Sequence, residues 1–125
     1  MPTEYDTALL IEIRRQRAAI AADPGPGGNP GGYHRERLRW VNAFYRDRDE
    51  REHGPRIASL YGDGYDDAAR KRVRRALDRL EAAGLVELWG AGRNVTHVKL
   101  TAEGERFAGE LATRPAVAGE GGPQA

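Results

Sequence analysis

A chain of 125 residues holds enough material for one domain of roughly 100 residues plus its ends, so a single fold must carry the function. Twenty basic against nineteen acidic residues leave a formal net charge of +1, which by itself points to no polyanionic partner; what matters is where the charges lie. There is no cysteine, which excludes disulfides, Cys-ligated zinc and thiol catalysis, and neither an export signal nor an apolar stretch of membrane-spanning length is present, so a cytoplasmic protein without membrane association is expected.

The N-terminal segment, residues 1–22, places Leu9, Ile13 and Ile20 near one helical face, with Leu10 and Ala18 beside them and Glu12, Arg14, Arg15 and Arg17 elsewhere. A lone amphipathic helix is marginal in water, so this one packs on its own body or dimerises with a second copy. Residues 23–32, DPGPGGNPGG, break both helices and strands and read as a linker. The body then spans 33–111, and residues 112–125, rich in Pro and Gly, are expected to be disordered.

In the body, RERLRWVNAFYRDRDE (residues 35–50) spaces Leu38, Val41, Phe44 and Tyr45 as a core-facing first helix with Trp40 alongside. Pro55 suits the first position of a short helix holding Ile57, Ala58 and Leu60, and Gly62 and Gly64 mark a turn. Asp66 or Asp67 caps a third helix whose buried stripe is Val73, Ala76, Leu77 and Leu80, and Gly84 occupies the place of a left-handed C-terminal cap. Leu85–Trp89 and Val95–Thr101 read as paired strands around Gly-Ala-Gly-Arg-Asn at 90–94, followed by a last helix returning Phe107 and Leu111 to the core.

The third helix carries Arg70, Lys71, Arg72, Arg74, Arg75 and Arg79 against one acid, Asp78. Most charge runs are solvated faces, and eighteen of the twenty basic residues are Arg, a bias that a GC-rich genome also produces. Like-charge neighbours such as Lys71 and Arg75 cost a few tenths of a kcal/mol per pair, which is tolerable but suggests use.

LDRLEAAGLVEL, a short glycine hairpin and VKLTAEGERF together resemble winged helix-turn-helix transcription regulators of the MarR and PadR type. The likeness spans about residues 35–111 and rests on Val73, Leu77, Leu80, Gly84, Leu85, Val86, Leu100, Thr101 and Gly104; the stretch from Gly62 to Val73 is several residues longer than the family's tight turn. It implies a mainly α fold with a small β-hairpin, here with an extra N-terminal helix, and a sequence-specific regulator that binds double-stranded DNA as a homodimer. In that geometry the third helix enters the major groove and the hairpin touches flanking backbone or minor groove. Lys71, Arg74 and Arg75 would then meet the groove and Arg70, Arg72 and Arg79 chiefly phosphates, with Arg93 and Asn94 at the hairpin tip.

The same fold also serves as a protein-interaction adaptor or as a replication or partition accessory, and residues 3–22 could instead mask the basic helix. No cofactor is implied, and a small-molecule effector is left open. His34, His53 and His97 lack ligand spacing, His97 reads as an ordinary exposed strand residue, and Trp40 and Trp89 as core or edge packing. The mixed run Arg46–Glu52 reads as a solvated, internally paired helix end. Ser59 is the sole serine and no phosphate-loop pattern occurs, so catalysis is not expected.

Overall fold

The computed structural model of the chain describes residues 2–27, 34–62, 66–91 and 94–113. These residues are mainly helical, with one small antiparallel hairpin: α1 (Glu4–Ala22), α2 (His34–His53), a 3-10 turn (Ile57–Leu60), α3 (Asp67–Ala82), β1 (Val86–Ala91), β2 (Asn94–Leu100) and α4 (Ala102–Thr113). Helix α4 therefore runs through residues 112 and 113, which the sequence reading had assigned to a tail.

Helix α1 begins with a reciprocal cap. The Thr3 hydroxyl accepts from the Asp6 amide at 3.0 Å, while the Asp6 carboxylate accepts from the Thr3 amide at 3.2 Å. Asp6, Leu9, Leu10 and Ile13, at separations of three, four and seven residues from the first, lie on a single face, and all four are buried. Leu9, Leu10 and Ile13 join Ile57, the α3 stripe Val73, Ala76, Leu77 and Leu80, the hairpin residues Leu85, Val86, Val98 and Leu100, and Ala108 of α4 in one core. The N-terminal helix thus packs on its own body. Phe107 packs against this core partly buried, as does Tyr5.

Helix α2 departs from expectation. Leu38, Phe44 and Tyr45 are 49%, 41% and 49% exposed, and Val41 is only half-buried, so the stripe read as core-facing looks outward. The reason is competition: two amphipathic helices were available for one core, and α1 occupies the place. Of the residues expected to form a linker, 23–27 are described and contact α2. The Arg51 guanidinium donates to the Asp23 carbonyl and Trp40 Nε1 donates to the Gly27 carbonyl at 3.1 Å. Within α2 the mixed run pairs internally, with Arg51 bound to Asp47 at 2.8 Å and Arg48 to Asp49 at 3.3 Å.

Gly54 ends α2 with φ +93, and a Cβ there would lie 1.9 Å from the Val98 carbonyl oxygen. The close approach lets Pro55 and Arg56 run beside β2: the Val98 amide donates to the Pro55 carbonyl at 3.1 Å, and Arg56 bridges to His97. Pro55 thus precedes the 3-10 turn instead of starting it. His97, covered by this strap, is only 7% exposed, contrary to its reading as an ordinary surface residue. Gly54→Ala combines a left-handed backbone with overpacking and is expected to cost about 3 kcal/mol in urea unfolding; an unchanged midpoint would contradict the close approach.

Asp66 caps α3 by accepting from the Ala69 amide at 3.0 Å. At the other end Gly84, φ +78, lets the Leu85 amide return to the Leu80 carbonyl at 3.0 Å. The strands pair from Val86 with Leu100 to Ala91 with Asn94, with an irregularity between Trp89 and Gly90. β1 is thus longer than the expected Leu85–Trp89, and the hairpin connection correspondingly shorter. Thr101 closes the hairpin base: its hydroxyl donates to the Gly84 carbonyl at 2.7 Å and accepts from the Gly104 amide at 3.0 Å.

Candidate nucleic-acid interface

With Val73, Ala76, Leu77 and Leu80 buried, the 100° step of the helix divides the cations of α3 between two flanks and an outer ridge. On the flank toward α1, Arg79 forms a two-pronged ion pair with Asp6, Nε at 3.0 Å and Nη2 at 2.7 Å from the two carboxylate oxygens. Arg72 lies on the same flank, its guanidinium carbon 3.9 Å from the centroid of the Tyr5 ring. Both had been expected to meet phosphates. The structure instead engages them with α1, because Asp6 stands in the apolar stripe of that helix and needs a cation to be buried. An acid at the first position of a Leu9, Leu10, Ile13 stripe was the available sequence signal.

The Asp6 side chain is 1% exposed, and its hydrogen bonds from Arg79 hold the carboxyl below the usual range despite burial. A depressed carboxylate pKa adds stability that is present above the unfolded value and lost as pH falls through the folded one. Arg79→Ala is accordingly expected to lower Tm by several degrees at neutral pH, with the gap to wild type closing below about pH 4, as followed by circular dichroism. A gap independent of pH would remove the ion pair as its cause.

The opposite flank forms a different surface. Arg70, Lys71 and Arg74 of α3, Asn94 and Val95 of β2, and Tyr61 beyond the 3-10 turn line an open cleft of about 310 Å3. Arg70 pairs with Asp67 at 3.3 Å and Arg74 with Asp78 at 3.1 Å, all four side chains being well exposed. Such pairs are worth about 0.5 kcal/mol and exchange readily for a stronger anion. Lys71 and Arg75 are exposed and form no ion pair among the described residues. Of the sequence-nominated residues, the structure brings together Arg70, Lys71, Arg74 and Asn94, with Arg75 on the adjacent ridge. Arg93 lies outside the described residues. Tyr61 and Val95 were missed, because only the approach of the hairpin to α3 makes them neighbours.

Elsewhere, His53 stacks on Trp89 with centroids 3.8 Å apart and planes at 7°, and His97 meets the edge of the same indole at 5.3 Å. Burial pushes the His97 pKa down. No group of three potential metal ligands occurs among the described residues, and no described helix is long and apolar enough to cross a membrane. The Ser59 hydroxyl bonds Gln16, a packing contact between the 3-10 turn and α1. Comparison with protein-family models, curated proteins and solved structures found no match to this chain.

Proposed function

We propose that this chain is a winged helix-turn-helix protein that binds double-stranded DNA and regulates transcription, with α3 as the groove-reading helix and the β1–β2 hairpin as the wing. The observation that carries this reading is the cleft in which Arg70, Lys71 and Arg74 face Asn94 across the gap between helix and hairpin. Cations able to reach phosphates or guanine edges stand beside a side-chain amide able to pair with a base. Lys71, Arg74 and Arg75 are assigned to the groove and Arg70 to phosphate. Arg72 and Arg79 brace the helix against α1 and leave the contact set. The expected salt dependence is correspondingly modest, with a logarithmic slope of about −1 for each cation–phosphate contact.

The test is selection from a pool of random duplex DNA at two salt concentrations, followed by sequencing. An enriched motif supports sequence-specific regulation. Salt-sensitive retention without a motif favours the replication or partition role over regulation, and no retention at low salt overturns the DNA reading. The outward apolar face of α2 favours a second reading, the protein-interaction adaptor, which that last result would bring forward.

A further inference from the structure

We infer that Arg74 is the guanine-reading side chain of α3 and that Asp78 is its positioning residue, holding the guanidinium so that its free end meets the O6 and N7 edge of a guanine. This rests on the DNA-binding reading and names the base that its groove contact recognises. Asp78 lies one helical turn beyond Arg74, and its Oδ1 accepts from Arg74 Nε at 3.1 Å. Among the described residues the pair takes Nε alone, the side of the guanidinium. The two Nη groups at its end are left to donate in parallel, the fork that matches the two acceptors a guanine presents in the major groove. Arg74 lines the cleft between α3 and the hairpin, so the fork is available on the face assigned to DNA.

The other cations of α3 fit the role less well. Arg70 meets Asp67 through Nη1 at 3.3 Å, so the end of its fork is already engaged. Lys71 lines the same cleft but is a point charge without a planar fork. Arg75 is exposed and forms no ion pair among the described residues, so fixing it on a base edge costs the rotamer freedom of a long side chain. Arg72 and Arg79 are engaged by Tyr5 and Asp6. Asp78, the one acid between Arg70 and Arg79, also selects among ligands for Arg74. It repels a phosphate and so lowers affinity for every sequence, whereas the neutral edge of guanine accepts the fork and leaves the pair in place.

Duplex selection with the full chain, repeated with Arg74→Ala and Asp78→Ala, tests the assignment; both side chains are exposed, and unchanged circular dichroism checks that the fold is kept. In the wild type one motif position is expected to prefer guanine by roughly five- to 150-fold. Arg74→Ala should make that position degenerate while the rest of the motif persists. Asp78→Ala should reduce the same preference several-fold while affinity for an unrelated duplex holds or rises, since a negative charge beside the phosphates is gone; a merely structural defect would weaken both. At that position 7-deazaguanine, which lacks the N7 acceptor, should weaken the wild type about tenfold and leave Arg74→Ala unaffected. A motif that survives Arg74→Ala at every position overturns the assignment and leaves DNA binding standing, as does a guanine preference untouched by Asp78→Ala. Retention without any motif also overturns it. No duplex retained at low salt overturns the DNA-binding reading itself, and this inference with it.

Discussion

Reversing charge at Lys71, Arg74 and Arg75 together is expected to reduce duplex-DNA affinity on the order of a thousandfold or more, while the fold stays intact. Three good contacts to base edges are worth about 1–3 kcal/mol each, and each tenfold in affinity corresponds to about 1.4 kcal/mol. All three side chains are exposed. The one specific bond lost among the described residues, Arg74 to Asp78, is an exposed pair, so stability should move little. Arg72→Glu is the control: it removes the contact over Tyr5 and should weaken binding far less than any change on the cleft side. Fluorescence anisotropy with a selected duplex separates the two. Equal losses at Arg72 and Arg74 would return the α1 flank of α3 to the contact surface.

Ile13→Ala is expected to destabilise the whole protein by about 2–5 kcal/mol, the usual range for truncating a large core aliphatic. Ile13 is fully buried in the same cluster as Leu77 and Leu80 of α3 and Val98 of β2. For a domain of this size a loss of 3 kcal/mol lowers Tm by roughly 15 °C. Because α1 shares one core with α3, the hairpin and α4, the transition should remain single and cooperative. If α1 were an appendage, the main transition would stay in place and only a fraction of the helical signal would melt early. Differential scanning calorimetry distinguishes these outcomes.

The parts of the fold that depend on local chemistry were legible in the sequence. The α3 stripe, its start at Asp66–Asp67, the reversal at Gly84 and the entry to α4 at Thr101 each need only nearby residues. What escaped was the choice between helices. Leu9, Leu10 and Ile13 form one apolar face and Leu38, Val41, Phe44 and Tyr45 another; periodicity ranks neither, and volume and connection decide which is buried. The same choice divided the α3 cations, since Arg79 is ion-paired only because α1 brings Asp6 to it. His97 differs from its reading for a related reason: its ring meets Trp89 and His53, and its backbone is bridged by Arg56, forty-one residues away in the chain. Of the candidate site, the α3 cations and Asn94 were readable, whereas Tyr61 and Val95 are products of tertiary approach.

The two walls of the cleft are braced from different places. α3 is held to α1 through Asp6 and Arg79, while β1 rests on α2 through the ring stack of Trp89 on His53. Both walls nevertheless share one core, in which Val86, Val98 and Leu100 of the hairpin pack with Leu77 and Leu80 of α3 and Leu10 and Ile13 of α1. The spacing of the cleft is therefore set by the same packed side chains that hold the fold together. Loss of the ring stack at Trp89 would accordingly leave the hairpin seated through Val86, Val98 and Leu100.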